Sequence, residues 1–165
     1  RFLDDFLARE LRRAQRYQTP ISLIIGDVDH FTAYNDRNGH PAGDIVLKAV
    51  ARILRENTRE PDVTVRYGGE EFIIVMPETD PDTATATAER ARQAIRDHAF
   101  TSGELQPGRR LTMSFGVAGL GRDDIKGSLG MQMHPQALIE LAEKAVGKSK
   151  QEGRDRVTRY VPAAE

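Results

Sequence analysis

The chain has 165 residues, of which 39% are hydrophobic and 30% are charged, and this size and composition predict one globular domain with its own core. A net charge of −1 favours neither nucleic acid nor an anionic membrane surface as a partner, and the absence of Cys excludes disulfides and thiol chemistry. No apolar run approaches the ~18 residues that span a bilayer, and no signal peptide is visible. Because the chain begins with Arg1, we expect it to be a piece of a longer protein.

The first part of the chain predicts three helices and one buried strand. Apolar residues recur at helical spacing over residues 2–17, and Thr19-Pro20 ends this helix. The short apolar run over 21–28 is rich in β-branched residues, which is typical of a buried strand. A short helix is predicted over 32–39, and a proline in the first turn begins the next helix, over 41–54.

Two glycines predict a hairpin in the middle of the chain. Gly68-Gly69 lies between β-rich segments at 63–67 and 72–76, which is the pattern of a tight turn between antiparallel strands. An Asp followed by a Pro then predicts the start of a helix over 80–98. The alternation within 83–88 would also suit a strand, but the charged residues that follow it favour the helix.

The last part of the chain completes the predicted fold. It contains a predicted strand over 111–118, a polar glycine-rich loop over 119–130, a helix over 135–150 and a strand over 156–161. Helices that alternate with strands, one pair of which forms an antiparallel hairpin, predict an α+β fold. In this fold, helices cover the faces of a mixed central sheet.

Acidic residues are crowded where two of the predicted strands end or begin. Asp27 and Asp29 end the strand over 21–28, and Glu70 and Glu71 directly follow the glycine turn. Adjacent carboxylates repel each other unless a cation or a proton offsets their charge. If the two strands are neighbours, the acids meet at one end of the sheet and supply the oxygen ligands that Mg²⁺ prefers. The alternatives are that Asp29 caps the next helix, which we favour for this residue, and that both Glu side chains lie in water.

Further motifs extend this pattern over nearly the whole chain. They are Asp27-Val28-Asp29-His30-Phe31, Asn35-Asp36, Gly39-His40, Gly43-Asp44, Arg66-Tyr67-Gly68-Gly69-Glu70-Glu71-Phe72, Ser114-Phe115-Gly116-Val117-Ala118 and Gly153-Arg154. In order and spacing they resemble the GGDEF family, the bacterial diguanylate cyclases, and Glu70-Glu71 gives the common GGEEF form of its signature. The similarity runs from Arg1 to about Val157.

The resemblance implies both a fold and a reaction. The fold is an extended ferredoxin-like one, similar to the palm of adenylate cyclases and polymerases, with an antiparallel GGEEF hairpin. Residues 1–165 would form a single GGDEF catalytic domain that lacks its N-terminal regulatory part. Two such domains would pair transiently as a homodimer and condense two GTP molecules into cyclic di-GMP and two pyrophosphates, each 3′-hydroxyl attacking the partner's α-phosphate in line.

The same resemblance implies a cofactor, a location and partners. Mg²⁺ is the expected cofactor, with Mn²⁺ as the alternative. The cytoplasm is the expected location, and the longer protein is either free or tethered to a membrane. GTP, cyclic di-GMP and a regulatory sensor domain are the expected partners, without nucleic acid and without direct membrane contact by this segment.

Individual roles also follow from the resemblance. Asp27, the Val28 carbonyl and Glu70 would hold the metal. Glu70 or Glu71 would help to deprotonate the 3′-hydroxyl or stabilise the transition state, and the sequence does not choose between them.

Two further groups of residues would bind the nucleotide. Asn35 and Asp44 would read guanine beside His40, although the residues alone suggest ordinary helix-terminal positions for both. N–H groups that open a helix form a general anion site, and basic residues near a helix C-terminus either bind phosphate or interact with the helix dipole. The expected phosphate ligands are His30, Phe31, Thr32, Lys150 and Arg154.

A second site is implied before the hairpin. Arg59-Glu60-Pro61-Asp62 resembles the R-x-x-D inhibitory motif of the family. An Arg can contact a phosphate or the Hoogsteen edge of guanine, and an Asp can accept from its Watson–Crick edge. We therefore expect product inhibition through Arg59 and Asp62, with Arg90 as a second contact.

Two positions depart from the family pattern. Thr32 replaces the usual Lys after Phe31, which removes a cation near the phosphates. Gly147 lies inside the last predicted helix, where Gly costs about 1 kcal/mol relative to Ala. Three functions therefore stay open: an active cyclase, a catalytically weak domain that binds cyclic di-GMP or GTP, and a transferase that makes a hybrid dinucleotide.

Overall fold

A central sheet of five strands is the scaffold of residues 1–161, which are the residues that the computed structural model describes. The strands are β1 (Ile21–Val28), β2 (Val63–Arg66), β3 (Glu71–Pro77), β4 (Met113–Leu120) and β5 (Val157–Arg159). Their order across the sheet is β2-β3-β1-β4-β5, in which β4 and β5 are parallel and all other neighbours are antiparallel. Strand β1 therefore lies at the centre, between β3 and β4.

Helices cover both faces of this sheet. They are α1 (Phe2–Tyr17), α2 (Phe31–Asn38), α3 (His40–Glu56), α4 (Pro81–Asp97), α5 (Arg122–Lys126), α6 (Ser128–Gln132) and α7 (Pro135–Gln151), with short 3-10 turns at Gly103–Leu105 and Pro107–Arg109. Side chains of α2, α3 and α4 pack on one face, and side chains of α1, α5 and α7 pack on the other. The predicted α+β fold with a mixed central sheet is confirmed. Within residues 1–161, no helix combines the length and the apolar composition that crossing a membrane requires.

Strand β1 contributes to both hydrophobic cores because it is buried on both faces. Ile24 and Val28 pack with α3 and α4, whereas Leu23 and Ile25 pack with α1 and α7. A strand that is covered on both faces forms a continuous apolar run instead of an alternation. This explains the uninterrupted apolar pattern over 21–28.

The helix predicted over 80–98 is present as α4, so the alternative strand over 83–88 is excluded. Asp80 caps this helix, because its side chain accepts a hydrogen bond from the Thr83 amide at 2.9 Å. The same bond is the main reason why the pKa of the Asp80 carboxyl lies below its usual value. Ala84 and Ala88, four residues apart, are fully buried on the inner face of the helix.

The loop predicted over 119–130 instead contains the short helices α5 and α6, so this prediction was wrong. The amide that precedes α5 donates a hydrogen bond to Asp124 Oδ2 at 2.9 Å. Ile125 is buried in the core beside α1, and the Gln15 side chain of α1 donates to the Gly130 carbonyl at 2.7 Å. These tertiary contacts stabilise helices that are too short to be stable alone.

The last two strands differ from their predicted ends. The strand predicted over 111–118 is displaced to Met113–Leu120, because this is the segment that pairs with β1. The strand predicted over 156–161 is limited to Val157–Arg159, since β5 pairs with β4 over three residues only.

We expect two glycine substitutions around the contact of β4 with α7 to have opposite effects on stability. A Cβ on Gly116 would lie 2.3 Å from the Val146 amide nitrogen and 2.4 Å from the Ala142 carbonyl oxygen, and these backbone atoms cannot move aside. Gly116→Ala should therefore lower the free energy of unfolding by about 1–3 kcal/mol, the usual range for overpacking.

Gly147→Ala is the matched control for this prediction. A Cβ on Gly147 meets nothing within 4 Å, and the residue lies inside α7. The substitution should raise the free energy of unfolding by about 0.5–1 kcal/mol. Urea unfolding of both variants measures the two changes, and a Gly116→Ala variant as stable as the parent chain would contradict the described packing of α7 on β4.

Candidate active site

The acids at the carboxyl end of β1 and at the start of β3 lie at the same end of the sheet. Asp27 is paired with Glu71 in the register of β1 and β3, and the Val28 amide donates to the Glu70 carbonyl at 3.1 Å. A pocket of about 160 Å³ opens there. It is lined by Asp27, Val28, Asp29, His30, Phe31, Thr32, Glu70, Lys150 and Arg154.

Asp27 is the most constrained acid of this pocket. It is 5% exposed, and Lys150 Nζ donates a hydrogen bond to its Oδ2 at 2.6 Å. Burial raises the pKa of Asp27 above its usual value, the charges of Glu70 and Glu71 raise it further, and Lys150 acts in the opposite direction. Burial and the two neighbouring acids therefore oppose the ionised form of Asp27, and the cation beside it favours that form.

The donor atoms of the pocket fit a hard divalent cation. Asp27 and Glu70 carry carboxylate oxygens and line the pocket together with Val28, whose backbone carbonyl is a further oxygen donor. Within residues 1–161, no three or more His, Cys, Asp and Glu side chains converge as a complete metal site. An ion held by few protein ligands keeps water or phosphate oxygens in its other positions, which is the behaviour of Mg²⁺.

The expectation that Asp29 caps the next helix was wrong. The residue that caps α2 is His30, in a left-handed conformation and without a side-chain bond. The Asp29 carboxylate instead accepts hydrogen bonds from the Thr112 hydroxyl (2.7 Å), the Ser114 hydroxyl (2.6 Å) and the Asp155 amide (3.1 Å). Its role is structural, as expected, but it joins the end of β1 to residues 112–114 and to the loop after α7 instead of closing a helix.

Groups that suit phosphate surround the acids. The backbone of His30, Phe31 and Thr32 opens α2 on one side of the pocket, where the first N–H groups of a helix have no partner inside the helix. Lys150 near the end of α7 and Arg154 in the following loop lie on another side. The arrangement combines backbone donors and two cations around one small space.

The expected guanine readers lie outside this pocket, on α2 and α3. A Cβ on Gly43 would lie 1.8 Å from Asn35 Oδ1, so the glycine makes room for this amide. Asn35 Oδ1 is buried against Gly43 without a hydrogen-bond partner among the described residues, and Asn35 lines neither this pocket nor that of Asp44. Asp44 follows Gly43 and lines a neighbouring pocket of about 410 Å³, whereas His40 is exposed at the start of α3.

The hairpin separates these two pockets. Glu70 lines the pocket of the acids, and Arg66 and Phe72 line the pocket of Asp44. Sequence reasoning missed the contact that holds this turn, in which Arg66 Nη2 donates to the Gly69 carbonyl at 2.7 Å and Nε donates to the same carbonyl at 3.2 Å. The signal was an Arg close enough to the Gly-Gly turn for its side chain to reach the turn carbonyls.

The R-x-x-D residues form a separate group. The Asp62 side chain is fully buried and accepts from the Arg59 amide at 2.8 Å and from Arg59 Nη2 at 3.2 Å. The Arg59 side chain is half exposed and also donates to the Pro77 carbonyl at 3.0 Å and to the Thr79 hydroxyl. Arg90 of α4 donates to the backbone carbonyl of Asn57, the residue that directly follows α3.

Comparisons with known proteins show the family of the chain. A family described as "Diguanylate cyclase, GGDEF domain" matches residues 1–156. The chain is 38% identical over 140 residues to diguanylate cyclase A of Treponema denticola, an alignment that covers 84% of the chain and 34% of that protein. The chain spans about a third of the length of the curated relatives that it matches.

Two solved structures have the same fold. The active GGEEF domain of a diguanylate cyclase from Vibrio cholerae superposes with a TM-score of 0.84 at 30% identity, covering 98% of this chain and 96% of that one. The GGDEF domain of DgcB from Caulobacter crescentus, in complex with c-di-GMP, superposes with a TM-score of 0.82 at 30% identity, covering 95% and 87%. The likeness therefore extends over nearly the whole chain.

We expect Lys150→Met to raise the pKa of Asp27 further in protein kept free of divalent ions with EDTA. The reason is that the variant removes the cation that favours the ionised carboxylate, while burial, Glu70 and Glu71 remain. A carboxyl ¹³C NMR titration measures this pKa.

Lys148→Met is the matched control, because Lys148 lies on the same helix but pairs with Glu152 in solvent. It should leave the titration of Asp27 unchanged. Folding raises the pKa of Asp27 above its usual value of 3.8, so the folded protein loses stability as the pH rises from 3.8 through the pKa of Asp27 in the folded state. Lys150→Met should increase this loss of stability. An unchanged Asp27 titration in Lys150→Met would contradict the ion pair.

Proposed function

The chain belongs to the GGDEF domain family of diguanylate cyclases, and from this we propose that it condenses two GTP molecules into cyclic di-GMP and two pyrophosphates. One observation carries the proposal: Asp27, Glu70, Lys150 and Arg154 line a single pocket at the end of the sheet. Acids for a metal and cations for a triphosphate are therefore neighbours. The chain would be the single catalytic domain of a longer cytoplasmic protein, and a sensor domain would regulate it.

The chain's own residues would divide the binding of GTP between two pockets. Asp27, Glu70 and the Val28 carbonyl would hold Mg²⁺ or, alternatively, Mn²⁺. When bound, the ion supplies positive charge that neutralises phosphate oxygens and favours attack on phosphorus. The backbone that opens α2 would bind the phosphates together with Lys150 and Arg154, whose charges complement the triphosphate.

Guanine would occupy the space beside Asn35 and Asp44. The Asn35 amide can both donate to and accept from atoms on the edge of the base. A carboxylate at Asp44 can accept from the N1–H and N2–H₂ groups of guanine, and adenine lacks this pair of donors. His40 would shape the open side of this pocket.

The chemical step would require two copies of the chain. In each half, the 3′-oxygen of one GTP forms a bond to the α-phosphorus of the other, and the bond to the leaving pyrophosphate breaks. The proton of the 3′-hydroxyl passes to a carboxylate of the pair Glu70 and Glu71, which lie beside each other at the hairpin. A transient homodimer with facing pockets would bring the two nucleotides together.

The R-x-x-D group would provide product inhibition at a distance from the reaction. Arg59 contacts the Pro77 carbonyl, whereas Glu71 begins the same strand, so the two proposed sites lie at opposite ends of β3. Cyclic di-GMP would bind to the R-x-x-D pair through Arg59, which the buried carboxylate of Asp62 orients, with Arg90 as a second contact. The half-exposed guanidinium of Arg59 supports this proposal, since it has room for a phosphate or a base edge.

Incubation with GTP and Mg²⁺ tests the proposed reaction. We expect cyclic di-GMP, identified by chromatography and mass, at a rate per molecule that rises with protein concentration because two chains must meet. Glu70→Gln should lower this rate by at least about 10²-fold, since it removes charge at the reacting centre, and chelation should abolish it.

Glu140→Gln provides the matched control, because Glu140 is exposed on α7 away from both pockets. It should leave the rate unchanged. Tight binding of cyclic di-GMP or GTP without turnover would favour a binding domain. An adenine-containing product would favour a hybrid transferase.

Arg59→Ala tests the inhibitory site. We expect the inhibition constant of cyclic di-GMP to rise by about tenfold or more, which corresponds to about 1.4 kcal/mol of lost binding. Arg52→Ala is the control, since Arg52 pairs with Glu56 on the surface of α3. Thermal melting of both variants checks the fold, because Arg59 also bonds to the backbone. An unchanged inhibition constant would rule out this site.

A further inference from the structure

The loop after α7 holds Arg154 in a backbone conformation that is unusual for a residue with a side chain. Gly153, Arg154 and Asp155 have successive φ values of 118°, 64° and 46°. Residues other than glycine rarely adopt this left-handed region, because their Cβ approaches the backbone too closely. Such a conformation persists only where surrounding contacts hold it.

Hydrogen bonds hold the backbone on both sides of the Arg154 side chain. The Arg154 amide donates to the Ser149 carbonyl at 2.9 Å, and the Asp155 amide donates to Asp29 Oδ2 at 3.1 Å. Asp29 is 3% exposed, and two hydroxyl groups also donate to its carboxylate. The Asp29 carboxylate, which accepts from the Asp155 amide, is therefore itself held in place.

The Asp155 side chain attaches the same loop to α4. Its Oδ1 accepts from Arg92 Nη1 at 2.7 Å, and its Oδ2 lies 3.4 Å from Arg96 Nη1. The Arg92 side chain is only 12% exposed, and it also pairs with Glu89. A partly buried, charge-assisted contact of this kind holds geometry better than an exposed ion pair does. Helix α4 itself contributes no residue to the pocket of the acids.

The Arg154 side chain contrasts with its fixed backbone. It is exposed and lines the pocket with Asp27 and Lys150, and within residues 1–161 it has neither a hydrogen bond nor an ion pair. A guanidinium that is free while its backbone is held on both sides is arranged for a partner that enters the pocket.

We propose that Asp155 is a positioning residue that holds Arg154 towards the phosphates of the bound nucleotide. It acts through its amide, which bonds to Asp29, and through its carboxylate, which bonds to Arg92. This inference rests on the proposed function, because it requires that Arg154 binds phosphate. A guanidinium that is already oriented loses less conformational freedom when it binds, so the affinity for phosphate rises.

Asp155→Asn tests this role with little disturbance of the backbone. Asn tolerates the left-handed region and keeps the amide, so the variant removes only the charged contacts with Arg92 and Arg96. The probe is the non-reacting GTP analogue with a methylene bridge between its α- and β-phosphates, titrated with Mg²⁺ in a calorimeter. Guanosine, which has no phosphate, is titrated in parallel by NMR.

We expect the affinity for the analogue to fall by about tenfold, as for other residues that orient a ligand-binding group, while guanosine binding is unchanged. Asp97→Asn is the matched control, because Asp97 also lies at the end of α4 but pairs with Gln93 and Arg110 in solvent. It should change neither affinity. Equal loss of both ligands in Asp155→Asn would overturn the inference.

A double-mutant cycle with Arg154→Ala separates positioning from a general effect on the fold. If Asp155 acts through Arg154, Asp155→Asn has no further effect once Arg154 is absent, and additive losses would overturn the inference. If Arg154→Ala weakens the analogue but Asp155→Asn does not, only this inference fails.

If Arg154→Ala has no effect, the proposed phosphate role of Arg154 fails as well. Arg96→Ala leaves the loop sequence unchanged and should lower the affinity for the analogue by a smaller factor. This loss should also disappear when Arg154 is replaced by Ala. This variant provides the same test should Asp155→Asn not fold, and an undiminished affinity in it would then overturn the inference.

Discussion

The pairing of β1 between β3 and β4 is the constraint on which the candidate site depends. Its register sets Asp27 opposite Glu71 on one side and opposite Ser114 on the other. A slip of one residue would turn every side chain of β1 to the other face of the sheet. Because Leu23 and Ile24 are buried in different cores, such a slip would exchange the contacts of both faces. The apolar packing that stabilises the sheet therefore also fixes where the acids lie.

Close packing of α7 against β4 brings the cations to the same place. Gly116 allows the backbone of α7 to approach the strand, and the Ser149 hydroxyl donates to the Phe115 carbonyl at 2.7 Å. The next residue is Lys150, whose ammonium group reaches Asp27. A larger residue in β4 would move the helix outwards and the cation with it. The charge balance of the pocket is thus a consequence of the contact between a helix and a strand.

Two acids that are separated by one residue, Asp27 and Asp29, have different surroundings. Asp29 accepts hydrogen bonds from three neutral donors, so its oxygens are already used within the fold. Asp27 has one cationic partner, and burial, together with the neighbouring Glu70 and Glu71, raises the pKa of its carboxyl. Of the two acids, Asp27 is therefore the one whose ionised form an added cation would stabilise more. A structural acid and an acid proposed to hold a metal can be distinguished here by their hydrogen bonds, although the sequence presents them alike.

The amino-acid sequence is enough to predict the family, the α+β class and most elements, because hydrophobic period, turn glycines and helix caps act over a few residues. It did not predict α5 and α6, whose stability comes from contacts such as Gln15 with the Gly130 carbonyl. It also misplaced the role of Asp29, since the hydroxyl donors of this acid are 83 and 85 residues away along the chain. The side chains that meet at the pocket are visible only in the folded chain, because strand register and helix packing bring together residues that no local preference connects.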